Sequence, residues 1–272
     1  MKTVHVSYFA SVLSEIKTFI IESGWEILED LPEVSESIGR TLVFKSPKDY
    51  IWVIREYKKA SFGKLSLTVN HIIDYNPSLD AFAQDISIVE SDTAYLNLVD
   101  NVMSLFMFAN DYRLYFVIKA ENRYMDIHLG LSLRYGVESD YKYPFITGCG
   151  GNVTGTLNQR QSSRLVTDNG RCVTSPDNSN GYKSINSLLE KNYNYKTSYQ
   201  NETQYMTYDK NGNVILSPVL ISNDGDKYVS ELSDIYLISS SYNTVSENTL
   251  TIDSTDYIYF QINQSYSIVV KK

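Results

Sequence analysis

VMSLFMFANDYRLYFVIKAENRYMDIHLGLSL, residues 102–133, decides the fold. It holds three apolar runs, Val102 to Ala109, Tyr112 to Ala120 and Tyr124 to Leu133, each of strand length and rich in β-branched and aromatic residues. Asn110-Asp111 separates the first pair and Glu121-Asn122-Arg123 the second. Breaks this short and polar suit hairpins, and Asn and Asp tolerate the positive backbone angles of a tight turn. The stretch therefore predicts an antiparallel meander. Arg113, just past the first turn, is left to pair across strands or across subunits. Gly130, inside the third run, marks a bulge or the close approach of another backbone.

Toward the N-terminus, Phe9, Val12, Leu13, Ile16, Phe19 and Ile20 recur at helical spacing between Ser7 and about Glu22. This predicts an amphipathic helix with one buried face, capped by Ser7 and stopped by Gly24. Trp25, Ile27 and Leu28 then read as the first strand. TLVFKS (Thr41 to Ser46) and DYIWVIREYK (Asp49 to Lys58) follow as a pair, with Pro47 in the turn because it has no N–H for a ladder. In KLSLTVNHII, Leu65, Leu67 and Val69 alternate with polar residues, which predicts a strand with one inward face. Asn76-Pro77-Ser78 marks a loop.

Toward the C-terminus the texture changes after Tyr143-Pro144-Phe145. Residues Gly148 to Tyr182 are rich in Gly, Asn, Ser and Thr. They predict a long exposed excursion opening on a Gly-rich turn at Gly148, Gly150 and Gly151. Strands resume from Tyr205, as NVILSPVLIS, DIYLISSSY and the alternating end TDYIYFQINQSYSIVVKK. The expected class is α+β, predominantly antiparallel β, with an N-terminal amphipathic helix and a long polar loop region. The expected organisation is a helix and meander over 1–147, a loop region over 148–204, and C-terminal strands over 205–272 that return to the same β domain.

Composition narrows the function. A hydrophobic fraction of 43% and a charged fraction of 21% suit a globular chain with a real core. The net charge is -8, and the basic residues are scattered, with Lys58, Lys59 and Lys64 the densest group. That argues against direct nucleic-acid binding, which draws its affinity from clustered Lys and Arg. The 23 Tyr suit half-exposed strands and subunit contacts, since the ring buries while the hydroxyl stays wet; AT-rich coding accounts for them equally well. The first 25 residues lack a signal-peptide core, and no run approaches the roughly 18 apolar residues of a membrane span. A protein made in the cytoplasm and remaining soluble is the expectation.

Motifs for chemistry are missing. Gly148, Gly150 and Gly151 are not followed by the helix and Lys of a phosphate-binding loop, and there is no GxSxG elbow. Cys149 and Cys172 lack CxxC partners, and His5, His71 and His128 are far apart, so no metal set is expected. The two cysteines are expected as free thiols, with a disulfide between them the alternative. DKNGN (Asp209 to Asn213) and the NDGD tip read as turns rather than cation loops. His71 and His128 lie on strands without a nucleophile or orienting group nearby in sequence, and read as structural.

Several phrases, in order along the chain, resemble a family of bacteriophage virion structural proteins. The family's helix ending in GW before an apolar strand resembles Gly24 to Leu28. Its IYIGI strand resembles Asp49 to Arg55. Its FANxRxFVVxK strand pair resembles Phe108 to Lys119, and its YxxxxLGxxxxY run resembles Tyr124 to Tyr135. Its YPYPLxxGG phrase is similar to Tyr141 to Gly150, its GELxGVYxVS strand to Ser230 to Ser239, and its YLVFQN strand to Tyr257 to Asn263. The likeness covers most of the chain and is weakest from Gly151 to Asn201. Two departures stand out: Lys142 replaces the proline of the first Tyr-Pro pair, and Ser233 or Asp234 replaces the glycine after Glu-Leu.

The resemblance implies a virion component of the tail or of the neck and collar. It implies no catalytic residue and no cofactor. The partners would be further copies of the chain in a ring or other symmetric oligomer, together with other tail or neck proteins. Its motif residues fall on Trp25, Asn110, Arg113, Gly130, Tyr143, Pro144, Gly148 and Gly150, which become the expected packing and interface positions. The Tyr143-Pro144 turn and the glycines after it would aim the polar loop at a neighbouring subunit, with a trans Tyr-Pro bond the expectation. The alternative is a receptor- or carbohydrate-binding module at the tail tip, using exposed Tyr and Asn as a sugar surface.

Overall fold

The computed structural model describes residues 1–6, 9–32, 38–59, 64–79, 85–86, 94–97, 103–120, 123–134, 145–150, 173–174, 216–222, 228–239, 246–261 and 266–272. Among the described residues the chain is α+β and strand-dominated, with one helix near its N-terminus. It divides into two compact units, Met1–Leu131 with Lys142–Asn186, and Ser132–Tyr141 with Ser187–Lys272.

The first unit opens on β1 (Lys2–Val6), followed by α1 (Phe9–Glu22). One sheet then runs β2 (Glu26–Leu31), β3 (Ile38–Lys45), β4 (Ile51–Lys59), β5 (Lys64–Asp74) and β6 (Asp85–Ile86), with β7 (Ala94–Asn97) also on β5. The second sheet runs β1, β8 (Met103–Ala109), β9 (Arg113–Ala120), β10 (Arg123–Arg134), β11 (Phe145–Gly150) and β12 (Val173–Thr174). All these pairings are antiparallel.

The helix and both sheets share one core. Val12, Leu13, Ile16, Phe19 and Ile20 of α1 meet Leu42, Phe44, Trp52, Ile54, Leu67 and Val69 of the first sheet. From the second come Leu105, Met107, Leu114, Phe116, Ile118, Ile127, Leu129 and Leu131. Each strand contributes every second residue, because side chains alternate across a pleated sheet. Val43, Val53 and Ile72 are buried on the opposite face of the first sheet, so its central strands are covered on both sides.

Helix α1 ends as its sequence dictates. Gly24 takes φ +78°, its N–H donates to Ile21 O, and the Trp25 N–H donates to Ile20 O. These two bonds satisfy two of the last carbonyls of the helix, and Trp25 joins the core cluster that holds Ile20. Farther along, Asp30 pins α1 to the first sheet. Its carboxylate accepts both a bidentate pair from Arg40 and a bond from Lys17 Nζ, all at 2.7 Å, while Arg40 also donates to Ser14 Oγ. The Arg40 guanidinium, with Lys17 beside it, holds the Asp30 carboxyl down at about 2.

In the second unit the last residues of β10, Ser132–Arg134, pair with the first part of β14 (Tyr228–Ser239). From Ile235 onward β14 pairs with β17 (Tyr266–Lys271) instead, and β13 (Ser217–Ser222) lies along β14. Beyond β17 come β16 (Thr255–Phe260) and β15 (Thr249–Ile252). Asp234, at the point where β14 changes partner, takes φ 59°. That conformation favours glycine and is tolerated by Asp. Asp253 and Ser254, at φ 48° and 62°, form the two-residue turn between β15 and β16.

Three expectations change. The first strand precedes the helix: β1 pairs with β8, about a hundred residues later in the chain. A five-residue run beside a helix carries no local sign of so distant a partner. The Gly-rich turn expected at Gly148 and Gly150 is strand, with Gly148 opposite His128 and Gly150 opposite Asp126. Positive φ occurs at neither Asn110 nor Asp111. That turn closes through the Asn110 side chain. Ser7, Tyr143, Pro144, Gly151, Cys172, Asp209 to Asn213 and most of 148–204 lie outside the described residues.

Candidate functional site: a hairpin corner and a buried polar face

The β8–β9 hairpin is closed from Asn110. Its Oδ1 accepts from the N–H of both Tyr112 and Arg113, each at 2.9 Å, and its own N–H donates to Arg113 O at 3.0 Å. An Asx side chain used this way mimics a backbone turn without requiring positive φ. The Asn110 carbonyl also accepts from the Trp25 indole Nε1 at 3.1 Å. Trp25 in turn leans on Trp52 and Phe44, at centroid distances of 5.3 and 6.1 Å. The turn after α1 is thereby tied to the hairpin 85 residues later.

The same corner reaches β10. The Leu131 N–H donates to Tyr112 O at 2.8 Å, and Arg113 lies opposite Gly130. A Cβ at Gly130 would come within 2.5 Å of Tyr112 O and 2.6 Å of Arg113 Cα, and closer still to Arg113 Cβ. Backbone cannot yield as a flexible side chain does, so only glycine fits. Trp25, Asn110, Arg113 and Gly130 are thus brought together. Gly148 and Gly150 lie on β11 beside β10, away from that corner, opposite His128 and Asp126. At the exposed tip, Lys48 Nζ sits 5.6 Å from the centre of the Tyr112 ring.

Between them, on the face of β9 and β10 turned away from the shared core, lies a polar group that the sequence reading missed. Arg113, Asp126 and His128 are only 2, 2 and 0% exposed, and Tyr115 is fully buried. Tyr115 Oη donates to Asp126 Oδ2 at 3.1 Å. The Tyr115 ring lies 6.1 Å from the His128 ring and 6.0 Å from the Arg113 guanidinium. Alternation of Tyr124, Asp126 and His128 was a usable signal that these side chains share a face. What it lacked was the cross-strand register, which sets His128 opposite Tyr115. Sealed from solvent, these groups organise one another.

Elsewhere burial alone pushes the Arg55 guanidinium down to about 10. Tyr75, which donates to Glu29 at 2.8 Å, is pushed up to about 12 by burial and by the neighbouring carboxylate. Among the described residues, no three His, Cys, Asp or Glu side chains group as a metal set. Among them, too, no helix is long and apolar enough to cross a membrane. No protein-family model matches the chain, and no curated protein sequence matches it.

Proposed function

We propose that the chain is a non-enzymatic structural subunit of a bacteriophage particle, in the tail or in the neck and collar. It would act through contacts with further copies of itself and with other tail or neck proteins. The observation that supports this reading is the convergence of Trp25, Asn110, Arg113 and Gly130 on one corner. These residues carry the sequence resemblance to virion proteins, and each acts there through packing or main-chain hydrogen bonds. A subunit that works through its surfaces needs a rigid frame, and spending polar groups on internal order suits that need.

Size exclusion with light scattering, on the purified protein alone and mixed with candidate tail or portal proteins, tests the proposal. A discrete ring-sized oligomer, or a complex with a tail component, is the expected result. A monomer that ignores those partners overturns it and directs attention to glycan and host-surface binding.

A further inference from the structure

The apolar pattern of β9 and β10 leaves their pairing ambiguous. In the observed register Leu114, Phe116 and Ile118 face Leu129, Ile127 and Met125. Sliding β10 by two residues keeps every side chain on its own face, because the side-chain period of a strand is two. Leu114, Phe116 and Ile118 would then face Leu131, Leu129 and Ile127, an equally apolar set. The link between the paired residues would lengthen from two residues to four, still an ordinary hairpin length. Lys119 would even gain Asp126 as its opposite neighbour. Hydrophobicity does not choose between the two.

We propose that Gly130 makes the choice, acting as the register selector of the β9–β10 pair. The corner formed by Tyr112 O and Arg113 Cα closes so tightly on β10 that the residue beneath it must lack a Cβ. In the observed register that residue is Gly130. After the two-residue slip it is Ser132, which collides with the same backbone atoms. The bond from Tyr115 to Asp126 agrees with this choice, since the slip carries Asp126 from its place opposite Val117 to one opposite Lys119.

The inference stands whether or not the chain is a virion subunit.

Cross-strand backbone NOEs in deuterated full-length protein read the register directly. Val117 contacts Asp126 in the observed register and His128 after the slip. The wild type should show only the first. Gly130→Ala should lose it by failing to fold, because either register then sets a Cβ beneath the corner. Gly130→Ala combined with Ser132→Gly moves the glycine two places along and should fold with the Val117–His128 contact. A folded Gly130→Ala protein that keeps the Val117–Asp126 contact alone overturns the proposal. So does a double variant that keeps the original contact or does not fold.

Discussion

The indole N–H of Trp25 donates to the backbone carbonyl of Asn110, joining the end of the only described helix to the turn of the β8–β9 hairpin. Trp25 is 3% exposed, so this bond is made away from water, where a lost partner costs most. Trp25→Phe should keep most of the ring packing against Trp52 while removing the donor. The expected loss is about 1–3 kcal/mol, read from urea unfolding followed by circular dichroism. An unchanged midpoint would show that the bond contributes nothing.

Asn110 separates two accounts of its turn. If the hairpin depended on positive φ, Asn110→Gly would stabilise it. Because the side-chain oxygen holds two N–H groups instead, both Asn110→Gly and Asn110→Ala should destabilise by about 1 kcal/mol. Asn110→Asp, which keeps an acceptor, should lose much less. Thermal melting of the three variants side by side gives the order.

Asp30 predicts an acid-dependent part of the stability. Its folded value of about 2 lies below the ordinary 3.8. A carboxyl depressed in this way stabilises the fold above the unfolded value and loses that contribution as the pH falls through the folded one. The contribution should be complete above about pH 4 and fade toward pH 2. The shift corresponds to at most about 2.5 kcal/mol, and partial solvent screening brings the expectation to about 1–2 kcal/mol. Asp30→Asn should show that loss at pH 7 and a flatter stability profile between pH 4 and 2 in denaturant titrations.

The β15–β16 turn offers room for improvement. Asp253 and Ser254 both hold positive φ, for which Ser is poorly suited. Replacing the pair by Asn-Gly should stabilise by about 0.5–1 kcal/mol, because that dipeptide adopts the required angles at least cost. A lower melting temperature would contradict the turn geometry.

The sequence by itself determined the parts that depend on neighbours in the chain. Helix α1 is written in the spacing of Val12, Leu13, Ile16, Phe19 and Ile20, and its end in Gly24. The strands β3, β4, β5, β8, β9 and β10 follow from alternation and from short polar breaks, and the need for glycine at 130 was legible as a close backbone approach. Only tertiary structure decided which distant pieces meet. The pairing of β1 with β8, the bond from Trp25 to Asn110 and the Tyr115–Asp126–His128 group all depend on strand partner and register. A repeat of two residues specifies which face a side chain takes, but says nothing of which strand lies alongside or how far along it sits. The glycines at 148 and 150 show the same limit: alone they suggest a turn, and beside β10 they form a strand.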